Sequence, residues 1–290
     1  MKVNKNNKTL LGIIVSFVVS LAVATGLIVP GALRGQPFDL EDVPAFSGEP
    51  YVIVCDNVPD FSRKDLTTRA YEYYSELDAL GRCGYAMACI GMELMPTEER
   101  GSIGQVKPSG WQLEKYDFVD GKYLYNRCHL IGFQLSGENA NEQNLITGTR
   151  YLNVQGMLPF ENRVAEYVRD TGNHVIYRVT PIFVGDELVA RGVQMEAMSV
   201  EDGGVGISFN IYAYNCHPGV VIDYATGKSA LAPTADGEEE AFVLNTNSER
   251  FHLPDCDSVS SMSPSNKEYY KGSRQALLEM GYKPCGSCNP

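Results

Sequence analysis

Seven runs rich in β-branched and aromatic residues, each bounded by Gly, Pro or Asp, punctuate this 290-residue chain and commit its central part to a sheet. They cover residues 51–55, 85–95, 123–127, 174–183, 188–200, 207–214 and 220–224. One clear helical period interrupts them at 160–169, with Pro159 suited to a first helical position and Gly172 to a stop. A second helix is predicted around 67–80 and a short one from near Arg150. Strands, then helix, then more strands indicate an α+β domain on a mixed or antiparallel sheet rather than a βαβ array.

The ends of the chain follow other rules. Between Lys8 and Arg34 lie 25 uncharged residues, mostly Leu, Ile, Val, Ala and Gly. As a helix they would span about 37 Å against a hydrocarbon core of roughly 30 Å. Lys2, Lys5 and Lys8 precede the stretch, while Asp39, Glu41 and Asp42 follow it. The positive-inside bias therefore predicts a signal anchor over 1–34, a single-pass transmembrane helix that partners the membrane and leaves the remaining chain extracellular. The rival reading is secretion after signal cleavage, although the apolar region is long for that and no clean small-x-small site stands out. A Pro-, Gly- and acid-rich linker is expected at 35–48, a main domain at 49–231, an acidic linker at 232–241 and a small domain at 242–290.

In that last segment His252-x3-Cys256 is followed, after 28 intervening residues, by Cys285-x2-Cys288. Two close pairs of soft or borderline ligands form a pattern for tetrahedral structural Zn²⁺, which would supply the stabilisation that so short a module lacks in core. A Cys285-Cys288 redox pair is the competing reading. The five other cysteines, Cys55, Cys83, Cys89, Cys128 and Cys216, suit either one or two disulfides with a thiol left over or burial as small apolar residues.

Chemistry concentrates at Asn126-Arg127-Cys128-His129, Asn144, Asn153 and Glu161. A neutral imidazole at His129 can take a proton from water near neutral pH, and the Arg127 fork suits a phosphate oxygen. One amide oxygen at Asn153 is a sensible anchor for Mg²⁺, which keeps most of its waters and often uses few protein ligands. Glu161, in the first turn of the predicted helix, could accept hydrogen bonds from such waters. The net charge of −12 argues weakly against a general nucleic-acid coat and leaves room for a locally basic groove.

Together these residues resemble the DNA/RNA non-specific endonuclease family with a ββα-metal catalytic motif, in particular its bacterial DNA-entry nuclease branch. The family's Asp-Arg-Gly-His aligns with Asn126-Arg127-Cys128-His129, its metal-binding Asn with Asn153, and flanking positions with Asn144 and Glu161. Gly81-Arg82-Cys83-Gly84-Tyr85-Ala86 and the run from Met95-Pro96 to Lys107-Pro108-Ser109-Gly110-Trp111 extend the resemblance to about half the chain. It implies a membrane-anchored extracellular endonuclease in which His129 is the general base, Arg127 holds phosphate, Asn153 holds Mg²⁺ or Mn²⁺, and Asn144 and Glu161 position the surroundings. DNA is the implied substrate, RNA is left open, and 5′-phosphate products follow. The departures, Asn126 for Asp and Cys128 for Gly, keep alive an alternative: a catalytically weak surface DNA receptor. The C-terminal motif is similar to a small Ada-type metal-binding domain, with five Lys/Arg against five Asp/Glu from residue 242 onward and hence no strong charge-based grip on DNA.

Overall fold

The computed structural model describes residues 37–232, 240–288 and 290. It divides into two compact units, the boundary in the chain falling between Ala230 and Leu231. The expected anchor over 1–34 lies outside the described residues, among which no helix is long and apolar enough to cross a membrane.

Eight strands build the first unit: β1 (Tyr51–Ile53), β2 (Tyr71–Tyr74), β3 (Ala86–Ile90), β4 (Tyr125–His129), β5 (Leu145–Thr149), β6 (Val175–Ile182), β7 (Gly192–Ser199) and β8 (Ser208–Tyr214). Six of them form one antiparallel sheet in the order β1-β8-β7-β6-β3-β2. β9 (Val220–Ile222) and β10 (Ser229–Leu231) add a two-stranded ribbon. The period-2 pattern explains the layering. Ala86, Ala88 and Ile90 on β3, Val175, Tyr177 and Val179 on β6, and Phe209, Ile211 and Ala213 on β8 point into one core. Onto that core packs a helix whose inward residues Phe160, Val164, Ala165 and Val168 recur at helical spacing.

β4 and β5 stand outside the sheet as an antiparallel pair, Arg127 opposite Thr147 and His129 opposite Leu145. A 15-residue connection holding the short helix α1 (Phe133–Ser136) joins them. After β5 the chain turns helical at Arg150, passes through a π-helical stretch at Leu152–Met157 and continues as α2 (Leu158–Thr171). Gly172, at φ 72°, ends the helix in the left-handed conformation, its N–H bonded to the Val168 carbonyl. Hairpin and helix together make a ββα unit. Asn215 ties it to the sheet: fully buried, it donates to the Thr147 and Ala190 carbonyls and accepts from Thr149 N–H.

Two expectations need correction. Residues 67–80 form no helix: 71–74 are an edge strand paired with β3, and Asp78 accepts from the N–H groups of Leu80 and Arg82 in a turn. Tyr-Glu-Tyr-Tyr is compatible with either state, and the open edge of β3 decided between them. Residues 37–48 are no free stalk. Phe38 stacks on Tyr212, Phe46 meets Tyr151 and Tyr214 edge-on, and the Tyr214 and Tyr151 hydroxyls donate to the carbonyls of Pro44 and Gly48.

The second unit carries a four-stranded sheet, order β13-β11-β12-β14, made of β11 (Glu240–Asn245), β12 (Arg250–His252), β13 (Lys267–Gly272) and β14 (Lys283–Pro284). β11 begins inside the segment expected as linker. Helices α3 (Asp257–Ser260) and α4 (Arg274–Glu279) complete it. β11 splits the apolar residues between two small cores, Val243 facing one and Phe242 and Leu244 the other. Cys256, Cys285 and Cys288 make up half of the first of these cores.

Candidate active site

His129 closes β4, the last residue of the strand, where its side chain reaches the hairpin's end. It is buried, and its two ring nitrogens have different partners. Nε2 lies 2.7 Å from the Asn139 carbonyl oxygen and Nδ1 3.3 Å from Nη2 of Arg100. A carbonyl can only accept and a guanidinium can only donate, so both contacts require the same tautomer: proton on Nε2, lone pair on Nδ1. Burial, with a smaller push from the Arg100 charge and against the Asn139 hydrogen bond, holds the His129 pKa below its usual value. At neutral pH the ring is therefore an uncharged base with an oriented lone pair.

That ring lines a cavity of about 370 Å³ together with Arg100, Gly132, Arg150, Asn153 and Glu161. Asn153 arrives on the π-helical stretch, a widened turn of the kind that recurs at functional sites because it redirects a side chain out of the regular ladder. Its Nδ2 donates to Asn126 Oδ1 at 3.2 Å, and its Oδ1 accepts from the Cys128 thiol at 3.2 Å. One lone pair of the amide oxygen stays available. Glu161 enters from the first turn of α2 and is buried. Burial raises its pKa to about 7, against the lowering effects of Arg100, the Gln134 amide and Gly132 N–H. A Cβ at Gly132 would stand 2.7 Å from the Glu161 carboxylate, so a side chain there would displace that carboxylate.

Of the residues singled out in the sequence, the fold brings His129, Asn153 and Glu161 to one cavity and leaves two outside it. Arg127 donates to the carbonyls of Gly104 and Val106, and its guanidinium lies 4.1 Å from the Trp111 ring centroid, so it ties the 104–111 loop to the hairpin. Asn144, fully buried, accepts from Ile131 N–H and donates to the Ile131 carbonyl. It clamps the connection that carries Gly132. The cavity's cations are instead Arg150, paired with Asp120, and Arg100, the one that meets His129; Arg100 lies within Glu98-Glu99-Arg100-Gly101, which looks in sequence like any solvated charge run.

The two atypical motif residues fit the hairpin without strain. Cys128 is a regular strand residue, fully buried, and Gly148 makes room for it: a Cβ on Gly148 would meet the Cys128 Cβ at 2.6 Å. Asn126 contacts Asn153 and, at 3.5 Å, Arg150, not His129, whose orientation comes from the Asn139 carbonyl.

In the second unit His252, Cys256, Cys285 and Cys288 place one ligand atom each within 4.8 Å of one another. Zinc at its usual bond lengths holds such atoms roughly 3.8 Å apart, so the cluster fits a tetrahedral ion with little adjustment. Hydrogen bonds from the Cys288 and Ser287 N–H groups bring the Cys285 thiol down to about 7, ready to ligate as thiolate. All eight cysteines carry free thiols, and the five outside this cluster are buried or half-buried without pairing.

A buried histidine on a β-hairpin facing an amide and a carboxylate on the following helix defines a ββα hydrolase-type cradle. Residues 62–201 match the family described as DNA/RNA non-specific endonuclease. The chain is 32% identical over 110 residues to a deoxyribonuclease of Streptococcus dysgalactiae subsp. equisimilis, the match covering 36% of this chain and 32% of that protein's own length. The crystal structure of NucA from Streptococcus agalactiae with magnesium ion bound superposes with a TM-score of 0.55 at 26% identity, over 62% of this chain and 86% of that one. The structure of Sda1 nuclease with bound zinc ion shares the fold, with a TM-score of 0.53 at 24% identity over 63% of this chain and 97% of that one. Residues 62–201 of the first unit are thus similar to a DNA/RNA non-specific endonuclease domain, and the chain spans about a third of the length of the curated deoxyribonuclease it matches.

Proposed function

We propose that the first unit hydrolyses DNA phosphodiesters, with RNA as a second candidate substrate, His129 as general base and little preference for sequence. The observation that carries this reading is the oriented, uncharged Nδ1 of His129 in the cavity that also holds Arg100, Asn153 and Glu161. The donor set suits a hard cation: an amide oxygen, and a buried carboxylate whose raised pKa signals a negative charge without full compensation. Asn153 Oδ1 would hold the ion and Glu161 would support its waters. When bound, Mg²⁺ or Mn²⁺ supplies Lewis-acid stabilisation of the charge developing on the phosphate and the leaving 3′ oxygen.

The chain's own residues supply the remaining steps. Substrate phosphate draws Arg100 off Nδ1, since a guanidinium prefers an anionic oxygen to a neutral ring nitrogen. The freed lone pair takes one proton from water, the hydroxide attacks phosphorus in line, and the bond from phosphorus to the 3′ oxygen breaks, that oxygen acquiring its proton from solvent. Asn139 fixes the ring through Nε2–H throughout. Contacts of this kind address the backbone phosphate, which carries no base information.

The second unit is proposed to bind structural Zn²⁺ through His252, Cys256, Cys285 and Cys288, as an Ada-type module would. The apolar stretch from 9 to 33 supports display outside the cell on a membrane anchor, a reading that rests on sequence alone. The deciding experiment is plasmid nicking by the full-length protein with Mg²⁺ or Mn²⁺, beside an EDTA control, His129→Ala and Asn153→Ala. Metal-dependent nicking that both variants lose is the expected result. Intact plasmid at every metal concentration would sink the enzyme and leave the DNA-receptor alternative; full activity in His129→Ala would remove His129 as the base.

A further inference from the structure

The cavity that holds His129 shares a wall with another. Arg150 and Val154 line both it and a neighbouring concavity of about 270 Å³, whose remaining lining includes Phe118, Asp120, Tyr151 and His217. Three rings surround this second space. The His217 ring centroid lies 5.7 Å from that of Phe118 at 56° and 6.0 Å from that of Tyr151 at 65°. None of these pairs is a parallel stack, so the rings form a cradle instead of closing on each other. Phe118 is 54% exposed, whereas Tyr151 is buried and pinned by its hydroxyl to the Gly48 carbonyl. The floor is rigid and the rim is an apolar ring presented to water. Between the two cavities Arg150 is ion-paired with Asp120 through Nε and Nη2 at 3.0 and 2.8 Å, which fixes its guanidinium on the shared ridge.

A flat π-faced guest next to a phosphate is the ligand that this arrangement fits. We propose that the second cavity receives the unstacked nucleobase of the nucleotide adjoining the scissile phosphate, with the chain crossing the ridge over Arg150. The inference rests on the nuclease reading and deepens it: the preferred substrate is single-stranded or locally melted nucleic acid, because a base inside a duplex cannot reach the cradle without leaving its stack. Every base has a π face, so the site adds affinity without sequence choice. Because the contact is remote from the reacting atoms and equal in ground and transition states, it lowers KM and leaves kcat unchanged.

The test compares two substrates of equal length and charge: a single-stranded oligodeoxynucleotide and an oligomer whose sugars are all abasic tetrahydrofuran units. Full-length protein, Phe118→Ala, His217→Ala and Phe118→Tyr are assayed at saturating Mg²⁺. The two alanine variants are expected to raise KM on the oligonucleotide by about tenfold, the loss typical of one stacking contact, with kcat unchanged. Neither should change KM on the abasic oligomer, and Phe118→Tyr should behave as the parent protein does. Equal effects on both substrates, or none on the oligonucleotide, would overturn the proposal. Should the parent protein cleave neither, the nuclease reading fails, and fluorescence anisotropy of the labelled oligomers with EDTA-treated protein decides the cavity alone. There, weaker binding of the base-bearing oligomer by Phe118→Ala supports the cradle, and unchanged binding removes it.

Discussion

The two units build polar sites by opposite routes. In the second, His252, Cys256, Cys285 and Cys288 come in two close pairs, His252 at a strand end and the cysteines in the segments flanking the small sheet, and three of them double as core residues. The putting-together of the site is the folding of the unit. In the first, Arg100, His129, Asn153 and Glu161 come from a loop, a strand end, a π-helical stretch and a helix start, spread over 62 residues and held by a core that needs none of them. A large core can therefore carry a site whose residues are free to be chosen for chemistry, whereas a small one recruits its ligands as structure.

The strongest way to break this contrast is to remove the soft ligands. Cys256→Ser, or a zinc chelator, is expected to unfold the second unit, because structural zinc in such modules contributes on the order of 10 kcal/mol. The single tryptophan, Trp111, lies in the first unit, so its fluorescence melting should stay where it was while amide exchange in β11 and β13 becomes fast. Loss of both together would show that the units are not independent in this sense.

Removing the hard site should do the reverse. His129→Ala is expected to lower kcat by roughly 10²–10⁴, the usual worth of a general base, with the Trp111 transition unmoved. A variant that instead lowered the melting point in step with activity would mark His129 as a packing residue.

Asn144→Ala tests the boundary between scaffold and site. It strands the Ile131 N–H and carbonyl in a fully buried position, so a destabilisation of about 1–3 kcal/mol is expected by denaturant unfolding. The pH dependence of the surviving activity should not change, since the side chain touches neither His129 nor Glu161.

The smallest effect concerns Arg100. Only uncharged His129 can act as base, and its pKa lies below the usual value, so the limb of kcat/KM that His129 sets at saturating Mg²⁺ should rise with pH through that lower value. In Arg100→Ala a cation that opposes protonation is gone, and the acidic limb should move to higher pH. Burial remains the larger cause, so the movement is expected to be a fraction of a unit; a limb that moves to lower pH would refute the Nδ1 contact.

What could be read before the fold was known divides along the same line. The zinc pattern is local, and its two pairs meet as their spacing suggests. Of β1 to β8, five fall inside runs marked by β-branched and aromatic residues and β4 overlaps one, and α2 extends its predicted period by two residues at each end. The edge strand at 71–74 was legible only as helix, because its preference depends on a partner 15 residues downstream. Arg127 and Asn144 occupy motif positions, yet their donors and acceptors are taken up by backbone groups whose nearness no spacing reveals. Arg100 was missed for the converse reason: nothing in a Glu-Glu-Arg-Gly run separates a solvated cation from one that meets a histidine 29 residues away.

The amino-acid order alone thus determined the chemistry on offer: a base, an amide oxygen and a carboxylate at set intervals, and four zinc-type ligands in two pairs. Tertiary structure decided which groups keep a free lone pair or charge. It left Nδ1 of His129 open by giving Nε2 to the Asn139 carbonyl, used Arg127 as a tie and brought Arg100 in its place. Residue type sets what a side chain can donate or accept, but only packing determines whether that capacity is already satisfied.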